Sequence, residues 1–324
     1  MPMFRPTLLV LIYHNLLPDD LRDDWLAALG YMTTAAHFHR DVDMLLADRR
    51  LAFATPDEFF RVPDGEAERL FVFITFDDGY SSSVAALEGL AQRGIPGAVF
   101  VNSAFVGTHQ RAWPEELLLF FHWLGDASFE AAVSGQSWSV PKAAPMYQRI
   151  VVLKQLREHL KSIPTAERER FMSLLYERYG FALGDLPVDP FRDSIRLAGW
   201  PDLERVGRAG GVVGGHTRTH PILSQCDGQR VLTEIQADKA ALEERLGRSI
   251  DFFAVPNGTD RDYDSSVLEI CRASGYRYVF GVSAKVNLHQ EQPFLLYRHP
   301  VGGMGFDLAG LIDRVASEAA WVSA

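Results

Sequence analysis

The sequence has little cysteine and no long apolar segment, and each absence excludes a class of protein. Its only two cysteines, Cys226 and Cys271, are too few for a disulfide framework, so we expect both to be reduced. The apolar segment at residues 8–13 is too short to cross a membrane, and no small-residue cleavage site follows it. We therefore expect no transmembrane segment and no signal peptide. A cytoplasmic location follows, unless the chain begins after a processed segment.

Positive charge is also scarce, since the formal net charge is −10 at pH 7. A protein that binds nucleic acid regardless of sequence needs a basic surface, so we expect no nucleic-acid partner. A hydrophobic content of 47% over 324 residues is typical of a globular protein with a large core. This length fits one domain with an insertion better than two independent domains.

Two acidic residues follow an apolar segment early in the chain. Residues 70–74 have the length and β-rich composition of a buried strand, and Gly79 indicates a sharp exit from it. Neighbouring side chains of a regular strand point to opposite faces, so Asp77 and Asp78 can serve one site only where the strand breaks into a loop. An ordinary acidic turn is the alternative, because Asp and Gly are frequent in turns.

Two histidines, His216 and His220, follow a short predicted strand at residues 212–213. Their spacing of four places both imidazoles on one face of a helical or helix-like turn, where they can bind one ion. The glycines at 214–215 give the backbone room to turn the pair inward. Three protein ligands and a water make an open catalytic zinc site. A chance pair of surface histidines is the alternative, but the acidic pair and the histidines together predict a mononuclear metal site.

These segments resemble the polysaccharide deacetylases with a NodB-homology domain, carbohydrate esterase family four. The family's T-F-D-D-G motif is matched by residues 75–79, and its H-[ST]-x-x-H motif by residues 216–220. Residues 252–258 (FFAVPNG) resemble the family's strand that ends in P-[YFN]-G. Residues 11–15 (LIYHN) resemble the Tyr-His opening of one branch of the family.

The resemblance covers residues 7–108 and 198–305 and implies one domain over residues 1–324, an α/β distorted (β/α)7 barrel. The alternation of strand and helix patterns agrees with it. The pattern predicts strands at 8–13, 70–74, 97–101, 212–213, 252–255, 278–280 and 295–297, and helices at 36–49, 82–93, 227–246 and 265–274. Every motif then falls at the carboxyl-terminal mouth of the barrel, where such folds carry their sites.

The resemblance also implies chemical roles. The metal ligands would be Asp78, His216 and His220. They would hold a divalent cation, zinc first, with Co²⁺, Ni²⁺, Mn²⁺ or Fe²⁺ as alternatives. Asp77 would be the general base that takes a proton from the attacking water. The turn at Asn257 and the side chain of Tyr80 would contact the oxyanion or the substrate.

The acid that protonates the departing amine has three candidates. In the Tyr-His branch the histidine after the first strand plays this role, which implies His14; His299 and then His289 are the alternatives. Arg298 lies in a segment that resembles the L-P-R segment of the same branch. It could orient Asp77 and keep the pKa of that carboxylate low, and a surface ion pair is the alternative.

Residues 109–196 match no motif of the family. Apolar spacing at 114–123 and 145–179 predicts helices, so we expect a helical insertion at the mouth of the barrel. The second stretch carries several basic residues: Lys154, Arg157, Lys161, Arg168 and Arg170. The insertion could be a lid that shapes the substrate site or an interface with a membrane or partner. A solvated helical hairpin is the plain alternative.

The sequence thus predicts a metal-dependent hydrolase that removes an N-acetyl or N-formyl group from an amino sugar. The substrate would be a polysaccharide, a lipid-linked glycan precursor or a nucleotide sugar in cell-surface polysaccharide biosynthesis. Peripheral membrane association remains open. One alternative is hydrolysis of a non-sugar linear amide or cyclic ureide. The other is a carbohydrate-binding pseudoenzyme.

Overall fold

The computed structural model describes residues 6–21, 25–26, 30, 32–62, 69–186, 190–289, 293–302 and 306–321. Its strands are β1 (Thr7–Tyr13), β2 (Leu16–Leu17), β3 (Thr33–Thr34), β4 (Leu51–Phe53), β5 (Leu70–Phe76), β6 (Gly97–Val101), β7 (Phe129–Val133), β8 (Gln136–Val140), β9 (Val212–Gly215), β10 (Phe252–Ala254), β11 (Tyr278–Val282), β12 (Asn287–Leu288) and β13 (Leu295–Pro300).

Its α-helices are α1 (Ala35–Ala47), α2 (Pro56–Phe59), α3 (Ser81–Gln92), α4 (Trp113–Leu124), α5 (Met146–Ser162), α6 (Thr165–Tyr179), α7 (Pro190–Ser194), α8 (Trp200–Arg208), α9 (Gly228–Leu246), α10 (Ser265–Ala273) and α11 (Leu308–Trp321). Two 3₁₀ turns lie at Leu183–Asp185 and Leu223–Gln225. Within the described ranges, no helix combines the length and the apolar character needed to span a membrane.

Seven parallel strands close into a barrel. Their order is β1, β13, β11, β10, β9, β6 and β5, and β5 pairs again with β1. The short strand β4 runs beside the start of β5, and β12 pairs antiparallel with β1. The predicted (β/α)7 barrel is therefore confirmed, and each of the seven predicted strands is one of the barrel strands.

Side chains on the two faces of the barrel strands divide the core into two layers. The first layer fills the barrel with Leu8, Val10, Phe73, Phe100, Phe252, Phe280 and Leu296, among others. The second layer joins the outer faces of the strands to the helices, and it includes Leu9, Leu11, Ile74, Val99 and Val213. Because successive side chains of a strand alternate between its faces, both layers come from the same short apolar segments.

The segment between β6 and β9 builds a separate apolar core from α4, β7, β8, α5 and α6. The sequence predicts this insertion as helical, but the structure also contains the β7–β8 hairpin. Its two turn residues, Ser134 and Gly135, have φ of 50° and 78°, as a tight two-residue hairpin turn requires. The prediction therefore missed a short-range signal, a Ser-Gly pair between two alternating stretches.

Candidate metal centre

Asp77 and Asp78 lie directly after the end of β5, where the chain turns sharply. Asp78 and Gly79 both have a left-handed backbone, with φ of 67° and 69°. A Cβ on Gly79 would lie 2.8 Å from Cγ1 of Val101 on the neighbouring strand β6. Only glycine therefore fits here without displacing Val101. This turn lets two consecutive carboxylates line one cavity, which a regular strand does not allow.

His216 and His220 lie beyond the end of β9, but not on a helical turn. Thr217 and His220 have φ of 65° and 58°, so the helix-like turn that the spacing predicts is wrong. Left-handed residues bring the two rings together instead, with their centroids 5.0 Å apart. Such strained conformations persist only where the surroundings fix them, and they concentrate at functional sites.

Asp78, His216 and His220 form a cluster whose geometry fits a metal ion. Oδ1 of Asp78 lies 3.5 Å from Nε2 of His216 and 3.3 Å from Nε2 of His220. Metal–ligand bonds of about 2.0–2.1 Å at tetrahedral angles place neighbouring ligand atoms roughly 3.3 Å apart. The same Oδ1 is buried without a hydrogen-bond partner among the described residues. A cation bound by these three atoms would satisfy it.

The tautomer of His216 suits a ligand. Its Nδ1 lies 2.7 Å from the carbonyl oxygen of Ala254, so Nδ1 carries the proton and Nε2 offers its lone pair to the cluster. The backbone of Ala254 thus orients a candidate metal ligand.

Arg298 forms a two-point ion pair with Asp77 inside the barrel. Its Nη1 and Nη2 lie 2.6 Å and 2.9 Å from the two carboxylate oxygens. Arg298 is fully buried, and its guanidinium lies 5.2 Å from the ring centroid of Phe100. Burial alone would raise the pKa of Asp77, but the charges of Arg298 and His216 hold it below its usual range. The alternative of a surface ion pair is therefore wrong.

The three candidate acids lie in different places. His14 follows β1 and lines the same cavity as Asp77 and Asp78. His299 lies on the outer side of β13, where the charges of Glu318 and Arg314 on α11 act on it. His289 packs on Phe59, and its backbone N–H donates to Pro6 before β1, at the opposite end of the barrel.

The two predicted oxyanion contacts also separate. Asn257 lines the cavity, is exposed, and has a left-handed backbone with φ of 58°. Tyr80 is fully buried in the apolar core of the insertion together with Trp25 and Phe121. Its hydroxyl has no hydrogen-bond partner among the described residues. Tyr80 is not among the residues that line the cavity, so the structure places it as a packing residue at the start of α3.

The cavity above the cluster has a volume of about 290 Å³. The barrel lines it with Ile12, His14, Asp77, Asp78, His216, His220, Asn257, Thr259, Val282 and Pro300, and the segment 109–196 with Ala112, Pro114, Glu115, Arg157 and Lys161. The insertion therefore forms one wall of the site. Of the three readings of the insertion, this position favours the lid over a solvated hairpin, and an interface with a membrane or partner stays a prediction.

Asp238 on α9 is a supporting residue that motif reasoning missed. It is completely buried, and its two oxygens accept the backbone N–H groups of Ser103 and His216 at 2.9 Å and 3.1 Å. Burial raises the pKa of Asp238 to about 7. A carboxylate on the inner side of an amphipathic helix was the only signal in the sequence, and it becomes informative only once β9 is known to lie beside it.

Comparison with known proteins agrees with the motifs. Residues 171–279 match the family model of polysaccharide deacetylases. No curated protein sequence matches the chain. The resemblance that the motifs predict is thus confirmed for the family, while the Tyr-His branch stays a prediction.

Solved structures share the fold across nearly the whole chain. IcaB from Ammonifex degensii is 20% identical with a TM-score of 0.56, covering 99% of this chain and 100% of that one. The deacetylase PplD of Streptococcus pyogenes, solved with acetate, is 14% identical with a TM-score of 0.55, and the coverage is 92% and 93%. A de-N-acetylase from Aggregatibacter actinomycetemcomitans is 11% identical with a TM-score of 0.54, and the coverage is 95% and 98%. At these identities the likeness establishes the fold.

Proposed function

We propose that this chain, which matches the polysaccharide deacetylases in sequence and in fold, is a metal-dependent hydrolase that removes an N-acetyl or N-formyl group from an amino sugar. One observation carries the proposal. A three-residue cluster with metal-ligand spacing lies beside a carboxylate that a buried arginine keeps ionised, and both line one cavity.

The ligands in this proposal are Asp78, His216 and His220. Zinc is the preferred ion, because two imidazoles, one carboxylate and an open position suit it; Co²⁺, Ni²⁺, Mn²⁺ and Fe²⁺ are alternatives. When bound, the metal would polarise the acyl carbonyl and lower the pKa of a water molecule. Burial alone would raise the pKa of Asp78, but the neighbouring imidazoles of His216 and His220 lower this pKa well below its usual value. The carboxylate is therefore ready to bind a cation at neutral pH.

Asp77 is the general base of the proposed reaction. Arg298 donates one hydrogen bond to each oxygen of Asp77, and these two bonds fix the plane of the carboxylate. The same ion pair keeps Asp77 ionised, so it can accept a proton from the water that attacks the amide carbon. His14, which lines the same cavity, is the proposed donor to the departing amine. Burial lowers the pKa of His14, and the negative charges of Asp78 and Asp77 oppose this shift, so the two carboxylates favour the protonated imidazole that a donor needs.

Acyl release tests the proposal directly. Chelated protein with and without added zinc is incubated with N-acetylated chitooligosaccharides, nucleotide sugars and lipid-linked glycans, and acetate and formate are measured. Release that requires zinc supports the hydrolase and identifies the class of substrate. Asp77→Asn should bind zinc and release nothing, whereas the matched exposed variant Asp126→Asn should behave as the wild type.

Two results would contradict the proposal. Release that is unaffected by chelation would exclude the metal-dependent mechanism. No release from any sugar by protein that holds zinc would favour the non-sugar amide or the pseudoenzyme. The cytoplasmic location and peripheral membrane contact stay predictions, which fractionation of cells that express the protein would test.

A further inference from the structure

Two cations of the insertion line the candidate active site. Arg157 and Lys161 lie four residues apart on α5, which places them on one face of the helix. Both line the cavity that also contains Asp77 and Asp78. The proposed hydrolysis uses neither of them. Their position is thus a feature of the site that the reaction leaves unexplained.

The structure gives these cations only one weak partner. Oε1 of Glu158 lies 3.5 Å from Nε of Arg157 and 3.5 Å from Nζ of Lys161, and among the described residues no other acid lies within 4.0 Å of either. Glu158 is 62% exposed and does not line the cavity. One shared, solvated carboxylate leaves the group with a net charge of +1, and such a pair is screened by water.

Arg157 in particular has donors to spare. Its side chain is only 15% exposed, and its buried Nε makes no hydrogen bond to any described residue. A guanidinium that is mostly withdrawn from water is costly unless its donors find acceptors. The oxygens of a phosphate or a carboxylate match this planar group in shape and charge.

The acids of the cavity are engaged elsewhere. Asp77 is held by Arg298, and Asp78 contacts the two histidines of the cluster. Glu115 lies 3.8 Å from Nη1 of Arg111, and burial raises the pKa of the Glu115 carboxyl well above the usual value, which favours the neutral form. The positive charge of Arg157 and Lys161 is therefore available to a ligand that enters the cavity.

We propose that Arg157 and Lys161 bind an anionic group of the substrate, so that the enzyme acts on an acidic or phosphorylated amino sugar in preference to a neutral glycan. The inference rests on the proposed function, because it assigns a substrate class to the same site. The shared chemistry is an oxyanion near the N-acyl group. It could be the phosphate of a sugar phosphate, the diphosphate of a lipid-linked or nucleotide sugar, or the carboxylate of a uronic acid.

The test compares N-acetylglucosamine derivatives with and without an anionic group. The methyl glycoside of N-acetylglucosamine is the neutral reference. The anionic probes are N-acetylglucosamine 1-phosphate, N-acetylglucosamine 6-phosphate, the uridine diphosphate and lipid diphosphate esters of N-acetylglucosamine, and its disaccharide with glucuronic acid. Whichever probe is preferred names the source of the charge. The kcat and KM of each probe are measured with zinc-loaded protein at low and high ionic strength.

We expect an anionic probe to exceed the reference in kcat/KM by about tenfold or more, mainly through KM, because charged hydrogen bonds contribute on that scale. High salt should reduce this ratio. Arg157→Gln with Lys161→Gln should abolish it, and Arg157→Lys with Lys161→Arg should restore most of it. Lys154→Gln removes one positive charge from an exposed position of α5 outside this cavity, and it should keep the ratio.

The outcome separates this inference from the proposed function. Turnover of neutral and charged probes at equal kcat/KM, or a preference that survives the double glutamine variant, overturns the inference and leaves the hydrolase standing. If no probe is hydrolysed, the proposed function fails, and equilibrium binding to Asp77→Asn protein decides the inference. Equal affinity for the 1-phosphate, the 6-phosphate and the methyl glycoside, or no binding at all, then overturns it.

Discussion

Removing the guanidinium of Arg298 should expose how strongly the barrel depends on one buried ion pair. In Arg298→Met the apolar side chain still fills space beside Phe100, but Asp77 loses both hydrogen bonds of 2.6 Å and 2.9 Å. The carboxylate is then unpaired at a position that is only 4% exposed, so little solvent can replace the lost hydrogen bonds. Breaking a buried pair in this way costs about 3–5 kcal/mol of the free energy of unfolding.

Asp77 can reduce this cost by taking up a proton. The wild-type pKa is lowered, so the stability that Asp77 contributes is present above its unfolded pKa and is lost as pH falls through the folded value. Without Arg298 burial dominates and raises the pKa, so the variant should instead lose stability as pH rises. A raised pKa leaves less of the base ionised at pH 7, so kcat/KM should fall by about 10²-fold or more.

The assay combines urea unfolding with a pH–rate profile. Activity of Arg298→Met should recover as pH rises, because the acid limb of the profile moves upward. In urea unfolding, the double variant Arg298→Met with Asp77→Asn should lose less free energy of unfolding than the sum of the two single variants, since neither charge then remains alone. Arg49→Met, at an exposed turn, is the control. Additive losses, or an acid limb at the wild-type pH, would refute the reasoning.

Three further expectations follow. Gly79→Ala should destabilise the protein by about 1–3 kcal/mol more than Gly94→Ala, because both have φ of 69° but only Gly79 has an atom within 4 Å of the added Cβ; equal losses in urea unfolding would contradict this. His220→Ala should lose bound zinc, measured by elemental analysis, together with the rise in melting temperature on adding zinc, whereas the exposed control His39→Ala should keep both. Burial raises the pKa of Glu116 to about 7, so its contribution to stability should fall by up to about 3 kcal/mol between pH 4.5 and 7; Asp238, whose pKa burial also raises to about 7, adds to the same slope, so Glu116→Gln should make the slope shallower, and an unchanged slope would exclude Glu116 as a source.

The insertion at residues 109–196 determines part of the shape of the candidate active site. It supplies a wall of the cavity with its own apolar core behind it. A wall with an independent core can differ between proteins while the barrel and the metal cluster stay the same. We therefore expect substrate preference to depend on α4 and α5, and chemistry to depend on the ends of β5, β9 and β13.

Some of the site could be predicted from the sequence because the signals are local. The apolar segment before Asp77 marks a buried strand, and Gly79 marks its end within a few residues. The strand at Gly97–Val101 was predicted at its observed bounds. Each of these signals depends on residues that are neighbours in the chain, so composition and spacing are sufficient to find them.

Other features depend on the way distant segments meet. Arg298 and His299 are adjacent, and strand alternation allows only one of them to face the barrel interior. Register decides which: Arg298 pairs beside Val10 of the inner layer, and His299 beside Leu11 of the outer layer.

The sequence by itself therefore determined the barrel and the identity of the metal-site candidates, because these follow from local periodicity and motifs. Only the tertiary structure decided which histidine lines the same cavity as Asp77, that Tyr80 packs in the insertion, and that Asp238 holds the backbone of His216. It also brought Arg157 and Lys161 to the site. The physical reason is that closure of the barrel and docking of the insertion set these contacts, and neither is encoded within a short window of the chain.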